Sequence, residues 1–170
     1  MPTNKEHPYN RKAPRFRLFI DGDSCPVIPE ILDVCESEQG EVFLISNFCH
    51  EYSRERGMKI ITVDNAPEAA DLAIVNHAKP GDIVVTQDAG AACMLLGKKA
   101  AVISPRGKIY RERDMNHLME FRHLLKKERR RTQKGPKSKP FSEGDRNRFL
   151  KNIRILISQI TEEPSHDKGD

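Results

Sequence analysis

The chain has 170 residues, of which 37% are hydrophobic and 32% charged, with a formal net charge of +4 at pH 7. That length suffices for one domain with its own core, and no apolar run approaches the roughly 20 residues of a membrane-spanning helix, which excludes a helical membrane protein. Cys25, Cys35, Cys49 and Cys93 stand singly and the polar N-terminus has no apolar signal region, so a zinc site and a secreted disulfide framework are set aside in favour of reduced thiols in the cytoplasm.

Residues 1–15 are expected to be a flexible basic N-terminus, followed by a single domain over 16–161. Phe16–Ile20 is the first strand candidate, and it stops at Asp21 and Asp23 in the stretch LFIDGDSCPV. Helix Pro26–Glu38, strand Val42–Ser46, helix His50–Arg56 and strand Lys59–Val63 come next. Helix Pro67–Ala78 follows, with Pro67 suited to its first turn and Asn65 and Glu68 spaced as a capping box. Strand Ile83–Thr86, helix Ala89–Leu96 and strand Ala100–Ser104 complete the alternation, with Gly57, Gly81 and Gly97 at the intervening turns. The strands are short, rich in Val, Ile and Phe, and show little polar alternation, as in a parallel sheet covered on both faces. The expected fold is therefore an α/β three-layer sandwich with a mostly parallel central sheet of about five strands.

Beyond Ser104 the pattern changes to C-terminal helices. One is expected from about Arg111 to Arg131, and a basic linker or loop, KKERRRTQKGPKSKP (126–140), carries eight Lys/Arg against one Glu. The last helix, about Glu143–Ile160, opens at Ser142 with Asp145 three residues on. Its stripe of Phe149, Leu150, Ile153, Leu156, Ile157 and Ile160 should dock on the core or on a second copy in a homo-oligomer. Residues 162–170 are expected to form a disordered tail.

Charge is segregated along this order. Residues 1–17 carry net +4, residues 18–104 net −8 and residues 105–170 net +8. An acidic centre with basic ends fits carboxylates that hold cations and flanks that hold a polyanion, although ordinary solvated faces give the same totals. Ligands of parallel α/β sheets bind beyond the carboxyl ends of the strands, and carboxylates gather there. Asp21 and Asp23 follow the first strand, Asp64 the third, and Asp88 the fourth with Thr86 at its tip. Glu68 and Asp71 lie in the first turns of the next helix. Clustered carboxylates need protons or a cation, and Mg²⁺ or Mn²⁺ suits oxygen ligands and activates water at phosphodiesters. Asp64 and Glu68 can equally be helix caps. Asn47 and His50, after the second strand, can reach the same mouth or merely form a turn. Arg106 and Lys108 follow the fifth strand on the ligand side and are candidates for phosphate contact, as are Arg111, Arg129, Arg130 and Arg131 in the basic segments. The lone cysteines read as small packing residues.

The segments FIDGDSCPV, ISNFCHEY, VDNAPEAADLAIVNHAKPGDIVVTQDAGAA and VISPRGKIY, with TQKGPKSKPF and DRNRF, resemble the YaiI/YqxD family of bacterial proteins from about Arg17 to Ile157. That family in turn resembles PIN-like nucleases, whose acidic residues bind Mg²⁺ or Mn²⁺ and direct RNA hydrolysis. The resemblance implies that Asp21, Asp71 and Asp88 are the catalytic ligands, Asp23 an accessory metal ligand, and Thr86 a support for the Asp88 turn. It leaves the acid that PIN enzymes carry between the first strand and the mid-chain helix without a clear match, Glu51 and the non-acidic Asn47 being the local candidates.

Two other functions share these letters. A haloacid-dehalogenase-like phosphatase would use Asp21 as nucleophile, Asp23 as acid/base, Ser46 on phosphate, Lys59 or Lys79 to balance charge, and Asp82 or Asp88 on Mg²⁺. A non-catalytic RNA-binding protein would use the basic ends and leave the carboxylates structural.

Overall fold

A computed structural model describes residues 13–22, 25–47, 55–66, 68–132 and 139–162. Strands β1 (Phe16–Asp21), β2 (Gly40–Ser46), β3 (Lys59–Thr62), β4 (Ile83–Val85), β5 (Ala101–Ile103) and β6 (Ile109–Tyr110) form one sheet. Across the sheet the order is β3-β2-β1-β4-β5-β6. The first five strands are parallel, and β6 pairs antiparallel with β5. Helices α1 (Ile28–Glu38), α2 (Ala69–His77), α3 (Ala89–Gly97), α4 (Met115–Thr132) and α5 (Glu143–Glu162) cover it.

Strand alternation divides the core in two. Leu18 and Ile20 of β1, Leu44 of β2, Ile83 and Val85 of β4 and Ile103 of β5 bury against α1 and α5. Phe19, Ile45, Val84 and Val102 bury on the opposite face against α2, α3 and Leu118 of α4. The expected three-layer α/β sandwich is thus the observed one. It gains a sixth strand, because Ser104–Lys108 closes a tight hairpin whose Ser104 N–H donates to Lys108 O at 2.8 Å. Two residues of β6 are too few to leave a periodic signal.

The other differences have local causes. The Asn65–Glu68 capping box is absent: Glu68 is itself the N-cap of α2, in a left-handed conformation with no side-chain cap bond. Of the helix expected at His50–Arg56, residues 55–57 form a 3₁₀ turn and the rest lies outside the described residues, as does Pro67. The helix expected from Arg111 starts at Met115, because Glu112–Asp114 is a 3₁₀ turn in which the Asp114 carboxylate accepts from Arg111 N–H at 3.0 Å. Its end at Thr132 is within one residue of the expected Arg131, and residues 133–138 of the expected basic linker or loop lie outside the described residues. So do residues 1–12 and 163–170, on which the flexible N-terminus and the tail were expected.

The start of α5 is as read from the sequence. Ser142 Oγ accepts from Asp145 N–H at 3.1 Å and Asp145 returns the bond to Ser142 N–H at 3.0 Å. Phe149, Ile153, Leu156 and Ile157 bury in the core beside β1. Of the two surfaces expected to take the stripe, the chain's own core covers these positions. What seats the helix is Gly107. At φ +88° it turns the hairpin, and a Cβ there would meet Phe149 N at 2.5 Å, while its carbonyl accepts from Asn152 Nδ2 at 2.6 Å. Only glycine satisfies both demands.

Candidate active site

The chain leaves β1 toward β2 on one side and returns through β4 on the other, so β1 and β4 are neighbours whose connections diverge. Such a switch point opens a crevice at the carboxyl ends of the two strands. Asp21 is the last residue of β1 and shares the face of Phe19, toward α2 and α3. Gly22, at φ +81°, then turns the chain away, its N–H donating to Ile45 O at 2.9 Å.

Buried Thr86, just after β4, ties the crevice together. Its hydroxyl donates to Asp21 Oδ2 at 2.7 Å and accepts from Asp88 N–H at 3.1 Å. Asp88 caps α3, its Oδ1 accepting from Ala91 N–H at 2.7 Å. Asp71, in the first turn of α2, is hydrogen-bonded to Asp21. Burial is the main force raising the Asp21 carboxyl, with the Asp88 charge adding to it and the bonds from Thr86 and Asp71 opposing it. Burial likewise leads for Asp71, followed by the charges of Asp88 and Asp21, the bond to Asp21 and the charge of Glu68, and together they push it up to about 7. The bond favours the Asp21 anion and the protonated form of Asp71, so below about pH 7 Asp71 holds the proton of the pair and donates it to Asp21.

The expected residues divide accordingly. Asp21, Asp71, Asp88 and Thr86 come together; Asp23, His50 and Glu51 lie outside the described residues. Asp64 is exposed after β3, and Glu68 is an exposed neighbour that adds charge to Asp71. Asn47 follows β2 at the same sheet edge, with a buried Oδ1 that has no hydrogen-bond partner among the described residues. Arg106 is committed elsewhere: it pairs with Asp145 at 2.7 Å, donates to the carbonyls of Lys139 and Pro140, and lies over Phe141, holding the start of α5. Lys108 Nζ lies 5.4 Å from the centre of the Tyr110 ring, Arg111 is exposed beside its turn, and Arg129, Arg130 and Arg131 are exposed on the last turns of α4.

Several phosphatase assignments fall at the wrong edge. Asp82 precedes β4 and is bound by Arg17 at 3.0 and 2.5 Å and by Lys79 N–H, while Lys59 opens β3 and pairs with Glu41. Ser46 is buried. Of the cysteines, Cys25 is pushed up to about 11 and Cys35 to about 12, chiefly by burial, which leaves both as thiols. The sequence reading missed Arg122 of α4, whose guanidinium lies across Gly90 in the first turn of α3 and 3.6 Å from Glu68. Nothing local marks that arginine among its basic neighbours.

Among the described residues, no three His, Cys, Asp or Glu side chains stand close enough to hold a metal ion together. The Asp21–Asp71 pair is closed on a proton, and Asp88 is held by its cap. The donors themselves suit a hard divalent cation: two adjoining carboxylates made costly by burial, a third within electrostatic reach, and an orphaned amide oxygen at the same edge. A cation in place of the proton would relieve the same repulsion.

The fold defines a doubly covered α/β sheet protein with an acidic crevice at its switch point. Residues 19–159 match the family model described as "Uncharacterized BCR, YaiI/YqxD family", and the chain belongs to that family. A UPF0178 protein of Halalkalibacterium halodurans is 39% identical over 143 residues, covering 84% of this chain and 91% of the relative. One from Listeria welshimeri is 40% identical (83% and 95% covered) and one from Alkaliphilus metalliredigens 34% identical (91% and 99% covered). No solved structure matches.

Proposed function

We propose that this protein is a Mg²⁺- or Mn²⁺-dependent ribonuclease of the PIN-like type, with Asp21, Asp71 and Asp88 as its metal-binding and catalytic residues. The observation that carries the reading is the proton-sharing Asp21–Asp71 pair at the β1/β4 switch point, where burial and Asp88 raise the cost of two negative charges. A bound divalent ion would polarise a phosphodiester and activate water. Thr86 fixes one oxygen of Asp21 and, through the Asp88 N–H, the turn that sets Asp88. Asp71 must give up its proton for the pair to serve as ligands, so metal binding should strengthen as pH rises through about 7. Asn47 Oδ1 is a supporting acceptor, and Asp23 an accessory ligand on the resemblance alone. The exposed arginines at the end of α4 would hold the RNA backbone without reading bases. Free Cys25, Cys35 and Cys93 accord with a cytoplasmic setting, and no helix of the described residues is long and apolar enough to cross a membrane.

The test is Mn²⁺-dependent cleavage of single-stranded RNA by wild type beside Asp21→Asn and Asp88→Asn. Activity in the wild type and its loss in both variants is expected. Equal cleavage by all three would refute the mechanism, and salt-sensitive RNA binding without cleavage would replace it with a non-catalytic RNA-binding role.

A further inference from the structure

Helices α3 and α4 run antiparallel. Cys93 Sγ of α3 contacts Met115 O at the start of α4, whereas Gly90, three residues earlier, lies beneath Arg122, seven residues later. Since α3 begins at the carboxyl edge of the sheet, just after Asp88, α4 leaves the domain past that edge. From Arg122 to its end at Thr132 it extends by about 15 Å at 1.5 Å per residue, and every described side chain after Leu125 is exposed. Lys126 and Arg129, four and seven residues beyond Arg122, continue its helical face.

Arg122 is placed for a ligand. A Cβ on residue 90 would stand 2.5 Å from its guanidinium carbon, so the absence of a side chain there lets the guanidinium lie against the first turn of α3. Burial raises the Cys93 thiol, with the Arg122 charge opposing the rise and the Asp88 charge adding to it, which puts both charges within reach of one sulfur. Among the described residues, the ion pair of Arg122 is the 3.6 Å approach to Glu68, with the two side chains 41% and 66% exposed. Such a pair holds little. Arg122 therefore lies between Gly90, two residues after Asp88 in α3, and Glu68, three residues before Asp71 at the start of α2, with its side chain partly exposed.

We infer that Arg122 is the phosphate-binding cation of the Asp21–Asp71 site, and that Lys126 and Arg129 carry the adjoining phosphates of a single-stranded RNA along α4. The assignment rests on the ribonuclease reading and extends it to how substrate is held. The planar fork of Arg122 takes two non-bridging oxygens of the phosphodiester at the acidic pair, while the other two cations act as point charges on the flanking backbone.

The experiment measures Mn²⁺-dependent cleavage of a fluorescent single-stranded RNA by wild type, Arg122→Gln, Arg122→Lys and the Lys126→Gln/Arg129→Gln double variant. RNA binding is followed over a salt series in an Asp21→Asn background. Arg122→Gln should lower kcat/KM by about 100-fold or more, with Arg122→Lys restoring binding better than turnover. The double variant should raise KM at nearly constant kcat. The slope of log K against log salt should flatten by about 0.7 for each cation removed, a readout that a structural role for Arg122 would leave unmoved. Should Arg122→Gln melt early, Arg122→Lys keeps the charge on the helix, and turnover equal to wild type in that variant would also count against the bidentate contact. Asp21-dependent cleavage with unchanged kcat/KM and salt slope in Arg122→Gln overturns the inference and leaves the ribonuclease standing. Absence of Asp21-dependent cleavage in the wild type defeats the ribonuclease reading, and this inference with it.

Discussion

Asp71→Asn in chelator-treated protein should stabilise the fold at pH 8 and leave it unchanged at pH 4. The Asp71 carboxyl titrates near 3.8 when unperturbed and at about 7 in the folded chain. Between those values the folded state holds a proton that the unfolded state has released, so the stability of the metal-free protein falls as pH rises from about 4 to 7 and then levels off. The rise from 3.8 to about 7 corresponds to about 4 kcal/mol if fully expressed. Asp71 sits at a partly open rim, and solvent screening reduces this to about 1–2 kcal/mol. For a domain of this size that is a rise of roughly 2–8 °C in Tm at pH 8. Asparagine mimics the protonated carboxyl and removes the penalty. Melting curves at pH 4, 6 and 8 with chelator, then with Mn²⁺, provide the assay. Mn²⁺ should raise the wild-type Tm more at pH 8 than at pH 5 and have little effect on the variant. A variant no more stable than wild type at pH 8 would refute the shared-proton account of the site.

Further substitutions separate scaffold from site. Asp88→Asn keeps an N-cap for α3 while removing charge, so its stability should match or exceed wild type, whereas Asp88→Ala should lose about 1 kcal/mol in urea melts. Gly107→Ala places a Cβ against the backbone of α5 at a positive φ and should cost about 2–4 kcal/mol, with hydrogen exchange in α5 accelerating first. Asp82→Ala strips the part-buried Arg17 of both bonds and should cost about 2–3 kcal/mol by denaturant titration without altering Mn²⁺ binding at the far edge of the sheet. Cys35, sealed in the core with its thiol pushed to about 12, should react with a thiol reagent only after unfolding.

Several features were legible in the residues because their causes are local. Short Val- and Ile-rich runs such as Ile83–Val85 specify buried parallel strands, and the Ser142–Asp145 pair specifies where α5 begins. Asp21 and Asp88 could be placed at strand ends, hence at one edge of the sheet, from their positions alone. The boundaries that failed were those where backbone geometry competes with pattern. Glu68 adopts a left-handed cap that no spacing announces, and the 3₁₀ turn at Glu112–Asp114 delays the start of α4 to Met115.

Tertiary structure decided which ends meet. The adjacency of β1 and β4, the 2.7 Å bond from Thr86 to Asp21 across 65 residues, and the proton between Asp21 and Asp71 depend on how the crossovers wrap the sheet. It also removed Arg106 from the site by binding it to Asp145, covered the α5 stripe with the chain's own sheet, and brought Arg122 over Gly90. A residue's type and spacing determine what element it joins and what chemistry it offers. Its partners depend on loop closure and packing between distant segments, which a window of neighbouring residues does not contain.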